Sequence, residues 1–189
     1  MPEKLITAPV IEPLTLAEAK AHLRWTNNAE DGLIQFLIEC ARDLCEKETG
    51  RALLPQTWEL SLHCFANEMR LQHVPAVNIT SVKYTDENGA EQTLVNTHYV
   101  LDNASDSMAR VVIAPNKSWP QIYNGINNVR ILYVAGYATS DAVPKTLKQW
   151  MKLQIGHWFK NRESISTNGP GSKLDYVDNL LNAYRIYSL

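Results

Sequence analysis

Between residues 33 and 45 the apolar side chains recur at helical spacing, and from residue 56 they recur at a spacing of two. That switch of period confines the chain to a mixed fold, because one pattern serves a helix buried along one side and the other a strand buried on one face. Leu33, Leu37, Cys40 and Leu44 form one stripe, and Ile34, Ile38, Ala41 and Cys45 a second beside it. Together they predict a helix seated deep in a core. Asn28 is the expected N-cap, Glu30 and Asp31 suit the positive helix end, and Gly50 supplies a left-handed stop. Past it, Trp58, Leu60 and Leu62 alternate with Glu59, Ser61 and His63, the pattern of a half-buried strand.

The flanking segments extend this pattern. Pro2, Pro9 and Pro13 block helix in residues 1–13, which are expected to form an extended arm. Thr15 and Glu18 have capping-box spacing and predict a short first helix with Leu16, Ala19 and Leu23 on one side. Further strands are expected near 69–72, 79–85, 91–95, 98–102, 110–113 and 129–135. Asn88-Gly89, after Asp86-Glu87, marks a tight hairpin turn. Pro144 suits the first turn of a third helix whose apolar side is Leu147, Trp150, Met151, Trp158 and Phe159. Residues 163–173, rich in Ser, Gly, Asn and Pro, are expected to be a mobile loop, and a last helix is expected over 174–186. The fold class read from this order is α+β: a helical bundle from N- and C-terminal helices with an inserted small antiparallel β lobe. It is taken as a single domain, with arm and helices in 1–54, β lobe in 55–140 and helices in 141–189.

With 189 residues the chain can bury one sizeable core, and its apolar share of 45% is ordinary for a folded domain. No apolar run reaches bilayer-spanning length, and the N-terminus lacks a signal-peptide core, so the chain is expected to be cytosolic when made. Cys40, Cys45 and Cys64 are odd in number. Positions 40 and 45 lie about 140° apart on a helix, which disfavours a bridge between them. No cofactor or metal is expected. Phosphate-loop, dinucleotide, zinc-protease and nucleophile-elbow motifs are missing. His63 and Cys64 point to opposite faces of a strand and pair poorly with His73 as metal ligands. Asp86 and Glu87 belong to the turn. The chain therefore reads as not an enzyme.

Two surfaces stand out as candidate contacts. Lys145, Lys148, Lys152 and Lys160 share one side of the third helix, and would face solvent, a phosphate backbone or an acidic partner. A net charge of −2 gives no global preference for nucleic acid. On the last helix Val177, Leu180, Leu181 and Tyr184 share one face, followed by Arg185. So short a helix must dock, on its own subunit, a neighbouring subunit or a partner. Trp119, before Pro120, is expected to plug the core or anchor a contact.

In order, Pro13-Leu14-Thr15-Leu16-Ala17-Glu18-Ala19-Lys20, Glu48-Thr49-Gly50-Arg51-Ala52-Leu53 and Gln56-Thr57-Trp58-Glu59-Leu60 resemble the opening of phage head-tail connector proteins of the gp6-like and phiE125 gp8-like type. Ser118-Trp119-Pro120, Val134-Ala135-Gly136-Tyr137, His157-Trp158-Phe159 with Asn161-Arg162-Glu163, and Leu180-Leu181-Asn182-Ala183-Tyr184-Arg185 are similar to later landmarks, so the resemblance runs over about 13–186. It implies a structural subunit at the head-tail junction of a virion, made in the bacterial host cytoplasm. Such subunits form a ring, expected to be dodecameric, between the portal protein and a tail-completion or stopper protein, around a DNA channel. It implies no catalytic residues. The alternative is a monomeric accessory binding module whose β lobe holds a ligand or protein partner.

Overall fold

A computed structural model describes residues 2–162 and 175–186. Those residues form four α-helices and two antiparallel sheets, an α+β fold. The chain divides into two compact units. One comprises Met1–Val10 with Pro55–Tyr137 and carries all the strands; the other comprises Ile11–Leu54 with Ala138–Leu189 and carries the α-helices.

In the β unit, β1 (Glu3–Thr7), β2 (Gln56–Leu62), β8 (Val129–Ala135), β4 (Ala76–Thr85) and β5 (Glu91–Thr93) lie in that order in a five-stranded sheet. A three-stranded sheet runs β3 (Glu68–Leu71), β7 (Met108–Ile113), β6 (Tyr99–Ser105). The period of two seen at 56–62 is realised in the register: Leu62 faces Val129, Leu60 faces Ile131 and Trp58 faces Tyr133. With Val82, and with the Met69–Val111 and Leu71–Ala109 pairs of the smaller sheet, all of these but the half-buried Trp58 make the buried core. The expected hairpin joins β4 to β5. Asp86 Oδ1 accepts from the Asn88 and Ala90 amides, and Gly89 takes φ 82°.

The N-terminal segment is extended, as its prolines require, but it is not a free arm. Glu3–Thr7 pairs antiparallel with β2, Glu3 opposite Leu60 and Leu5 opposite Trp58. The free edge of β2 offers a row of unpaired amides and carbonyls, and a proline-free stretch of five residues is enough to fill it. A bulge between Leu5 and Thr7 shifts the register, after which Thr7 faces Thr57.

In the helical unit, α1 (Leu16–Leu23) starts with the expected capping box: Thr15 Oγ1 accepts from the Glu18 amide and Glu18 Oε2 accepts from the Thr15 amide. The second helix, α2, begins at Asp31 rather than at a cap on Asn28. Asn28 Oδ1 instead accepts from Lys20 Nζ at 2.7 Å, and the same ammonium pairs with Asp31 at 2.6 Å. One lysine thus binds the end of α1 to the start of α2, and Glu30 stands at the cap position without a side-chain bond. α2 runs to Thr49, with Gly50 at φ 70° as its stop. Of its two stripes, Ile34, Leu37, Ile38, Ala41 and Cys45 are buried; Leu33, Cys40 and Leu44 are partly exposed. α3 (Lys145–Lys160) follows Pro144 and buries Leu147, Trp150, Met151 and Ile155. α4 (Asp175–Asn182) is shorter than the expected 174–186 helix. The expected loop at 163–173 lies outside the described residues.

Candidate functional site

The lysine row on α3 is divided by its neighbour. α1 packs along α3, and Glu18, already fixed as the capping carboxylate, lies 3.9 Å from both Lys148 Nζ and Lys152 Nζ. The side chains of Lys148 and Lys152 keep 13% and 24% of their exposure, whereas Lys145 and Lys160 are exposed. Thr15's hydrogen bond, with the two ammonium groups adding, holds the Glu18 carboxyl below its usual range. One side of α3 is thus open at its ends, with its middle leaning on an acid from the same chain. Beyond it, Trp25 meets Phe159 edge-on at 5.3 Å, and Arg162 lies 5.0 Å over the Phe159 ring while pairing with Glu30.

The last helix is seated on its own chain. Val177 and Leu181 are buried, and α4 packs on α3 and α2. Past its end, the Ile186 amide donates to the Thr49 carbonyl at 2.9 Å and Arg51 Nε donates to the Tyr184 carbonyl at 2.7 Å. Arg185 pairs with Glu48 at 3.0 Å. The C-terminal segment therefore satisfies a carbonyl that the end of α2 leaves without a helical partner. Of the five residues proposed there for contact, Val177 and Leu181 are enclosed, Arg185 is engaged, and Leu180 and Tyr184 remain half-exposed.

The β unit contains a polar cluster that no sequence motif announces. Glu3 points inward, its side chain 2% exposed. Its carboxyl accepts from Tyr133 Oη at 2.7 Å and from the Gln72 amide at 3.0 Å. Tyr133 Oη in turn accepts from the His73 amide at 3.3 Å, and the His73 ring stacks on Trp58 at 3.5 Å. Burial pushes the Glu3 carboxyl up and the His73 imidazole down to about 4, outweighing the 3.5 Å approach of His73 Nε2 to Glu3. The same burial raises the Tyr133 phenol. A Glu, a Tyr and a His in reach of one another suggest acid–base chemistry, but the carboxyl is occupied by two donors and enclosed. Its work here is to fasten β1.

The other expected positions are scattered. His63 and Cys64 are exposed, with His63 Nδ1 accepting from the Asn127 amide, and His73 is engaged elsewhere. Among the described residues no group of three His, Cys, Asp or Glu is placed to hold a metal ion, and no helix is long and apolar enough to cross a membrane. The three cysteines are free thiols, Cys45 pushed up to about 12 by burial. Trp119 stacks on Phe65 at 4.6 Å, which favours the plug over the contact anchor.

Residues 13–99 match the model of the phage gp6-like head-tail connector protein family. The opening landmarks of the resemblance fall inside that stretch and the later ones beyond it. Three solved structures contain chains of the same fold. In the neck of an empty GTA particle computed with C6 symmetry, the chain is 23% identical with a TM-score of 0.81, covering 100% of this chain and 97% of that one. In the virion of the native gene transfer agent (GTA) particle, identity is 24% and the TM-score 0.79, with the same coverage. In the neck of the native GTA particle computed with C12 symmetry, the values are 22% and 0.79, again over 100% and 97%. No curated protein matches the chain.

Proposed function

We propose that this chain, a match to the gp6-like head-tail connector family over residues 13–99, is a structural subunit of the junction between head and tail of a phage-like particle. The observation that carries this reading is the likeness of fold over 100% of the chain to a component of GTA necks, together with the family match. The subunits form a closed ring, for which twelve copies fit a neck that obeys C12 symmetry. The ring sits between the portal and a tail-completion or stopper protein, and the genome passes along its axis without being read. We take the helical unit as a bundle into which the β unit is inserted, a stable body able to present surfaces on several sides. In the C-terminal segment, Leu180 and Tyr184 remain for contact with a neighbour or the portal, while Val177 and Leu181 hold the helix to its own subunit and Arg185 is paired with Glu48. No step of chemistry is required of any residue.

The test is assembly of the purified full chain, by light scattering and negative-stain imaging over a concentration range, with and without a portal ring. Rings at high concentration or on the portal are expected. A species that stays monomeric at millimolar concentration and ignores the portal ring overturns the connector reading, and a ligand-dependent rise in stability of that monomer would favour an accessory binding module.

A further inference from the structure

Asn-Gly occurs three times in the chain, at Asn88-Gly89, Asn124-Gly125 and Asn168-Gly169. This pair of residues is suited to a reaction of the chain with itself. The glycine nitrogen can approach the carbonyl carbon of the asparagine side chain, and glycine has no Cβ to obstruct it. Two things oppose the reaction in a folded protein: a hydrogen bond that occupies the nitrogen, and a backbone held away from the geometry of attack. The third pair lies outside the described residues. The first two differ sharply in both respects.

Asn88-Gly89 is tied. The Gly89 amide donates to the Asp86 carbonyl at 2.9 Å, and the Asp86 amide donates to the Ala90 carbonyl at 2.9 Å. Asp86 Oδ1 accepts from the Asn88 amide at 2.9 Å and from the Ala90 amide at 3.0 Å. The attacking nitrogen therefore has a partner, and so have the nitrogens on either side of it. At Asn124-Gly125 the backbone is irregular, and neither the Asn124 side chain nor the Gly125 amide makes a hydrogen bond with a described residue. The restraints lie just outside the pair. The Tyr123 amide donates to the Thr85 carbonyl at 3.1 Å, and the Tyr123 carbonyl accepts from Asn128 Nδ2 at 2.6 Å. The Asn127 amide donates to His63 Nδ1 at 3.3 Å. Asn124 and Gly125 are thus a slack link between fixed points. Exposure does not separate the two sites, since all four residues are exposed; the bonding of the glycine nitrogen does.

We propose that Asn124 is a site of spontaneous deamidation, at which the folded chain modifies itself. The Gly125 nitrogen gives up its proton and bonds to Cγ of Asn124. The bond from Cγ to the side-chain nitrogen breaks, and that nitrogen leaves as ammonia, taking a proton. A cyclic imide remains, and water opens it. Breaking the bond from the imide nitrogen to Cγ leaves aspartate in an ordinary chain. Breaking the bond to the main-chain carbonyl carbon leaves isoaspartate, with Cβ inserted into the main chain. In sum one water is taken up and one ammonia released, with no oxidant, metal or enzyme. Either product adds a negative charge between Tyr123 and Ile126, which are 52% and 78% exposed. Isoaspartate also lengthens the link between the fixed points. None of this depends on assembly into a ring.

The full chain is held in mildly alkaline buffer and sampled over time. Trypsin cuts after Lys and Arg, so the three pairs fall on separate peptides, 84–110, 118–130 and 163–173. Mass spectrometry with fragmentation reads the exchange of amide for acid at each asparagine. In the folded chain the modified fraction should grow about tenfold faster at Asn124 than at Asn88. That ratio is equivalent to about 1.4 kcal/mol, within what releasing one bonded amide costs. In denaturant the two rates should come together, because the turn that protects Asn88 is gone. Asp86→Ala, which removes the two bonds to Oδ1, should speed Asn88 and leave Asn124 unchanged. Folded-state rates that are equal, or higher at Asn88, overturn the proposal. So does a ratio that persists in denaturant, which traces it to neighbouring residues and not to the fold. An Asp86→Ala chain whose Asn88 stays as slow as before overturns the protection assigned to the turn.

Discussion

Replacing Tyr133 by Phe removes one oxygen from the centre of the β unit. Two bonds go with it: the hydroxyl donates to Glu3 at 2.7 Å and accepts from the His73 amide at 3.3 Å. A bond to a carboxylate contributes about 1.5–3 kcal/mol, and a buried amide left without a partner costs about 1–3 kcal/mol. The amide bond is long and partly buried, so its share lies at the low end. The ring keeps its packing, and Glu3 keeps the Gln72 amide at 3.0 Å. The expected loss is therefore about 2–4 kcal/mol. It should fall on the β unit, because the cluster ties β1 to β8 and to the turn after β3. Denaturant unfolding gives the magnitude and hydrogen exchange gives the place, with faster exchange at residues 3–7 and 72–73. Glu3→Gln, alone and combined with Tyr133→Phe, gives the coupling between the two groups. A loss below about 0.5 kcal/mol, or exchange unchanged in β1, would refute the claim that the cluster fastens the strand.

Other expectations follow from single sites. Leu37→Ala should destabilise by about 2–5 kcal/mol, toward the lower end because Leu37 keeps 9% exposure; chemical unfolding measures it. His73 is held down at about 4 from 6.5, so between those values the unfolded chain binds the extra proton. Its contribution, about 3 kcal/mol at 1.36 kcal/mol per unit, is whole above about pH 6.5 and lost as pH falls toward 4. The raised Glu3 carboxyl acts in the opposite sense and reduces that loss. A stability–pH slope that His73→Gln leaves unchanged would contradict this. Glu18→Ala should cost about 1 kcal/mol through the α1 cap and also free Lys148 and Lys152, seen as lower thermal stability with stronger binding of polyanions. Deleting residues 175–189 should lower the melting temperature of the monomer by several degrees, because Val177 and Leu181 are buried on their own chain.

The elements carried by a strong local pattern were legible in the sequence: the apolar stripes of α2, the alternation of β2, the Asn88-Gly89 hairpin and the Thr15–Glu18 box. What was missed depends on neighbours supplied by distant chain. Residues 3–7 show no alternation and become a strand only because β2 has a free edge. Asn28 is a good cap by type, but Lys20 claims its oxygen. A helical wheel sets four lysines on one side of α3 and cannot know that α1 runs past the middle two. Glu3, His73 and Tyr133 are scattered along the chain, so no window of sequence contains their cluster. The capping box showed Glu18, but not its second role beside the lysines.

Both units are built from two separate stretches of chain, and this sets a timetable for synthesis. When α2 leaves the ribosome at Thr49, the helix that will cover its apolar side begins 96 residues later, at Lys145. At roughly 5–20 residues per second that side waits on the order of 5–20 seconds. Strand β1 waits less, since β2 follows at Gln56, but β8, which holds the middle of the larger sheet, arrives only at Val129. The β unit has all its strands once Tyr137 is made, whereas the helical unit must wait for α3 and α4. The yield of folded chain in a cell then depends on how well Ile34, Leu37, Ile38 and Ala41 are shielded in the interval. Overproduction should therefore respond to slower growth temperature and to added chaperone more than to surface changes in the finished fold.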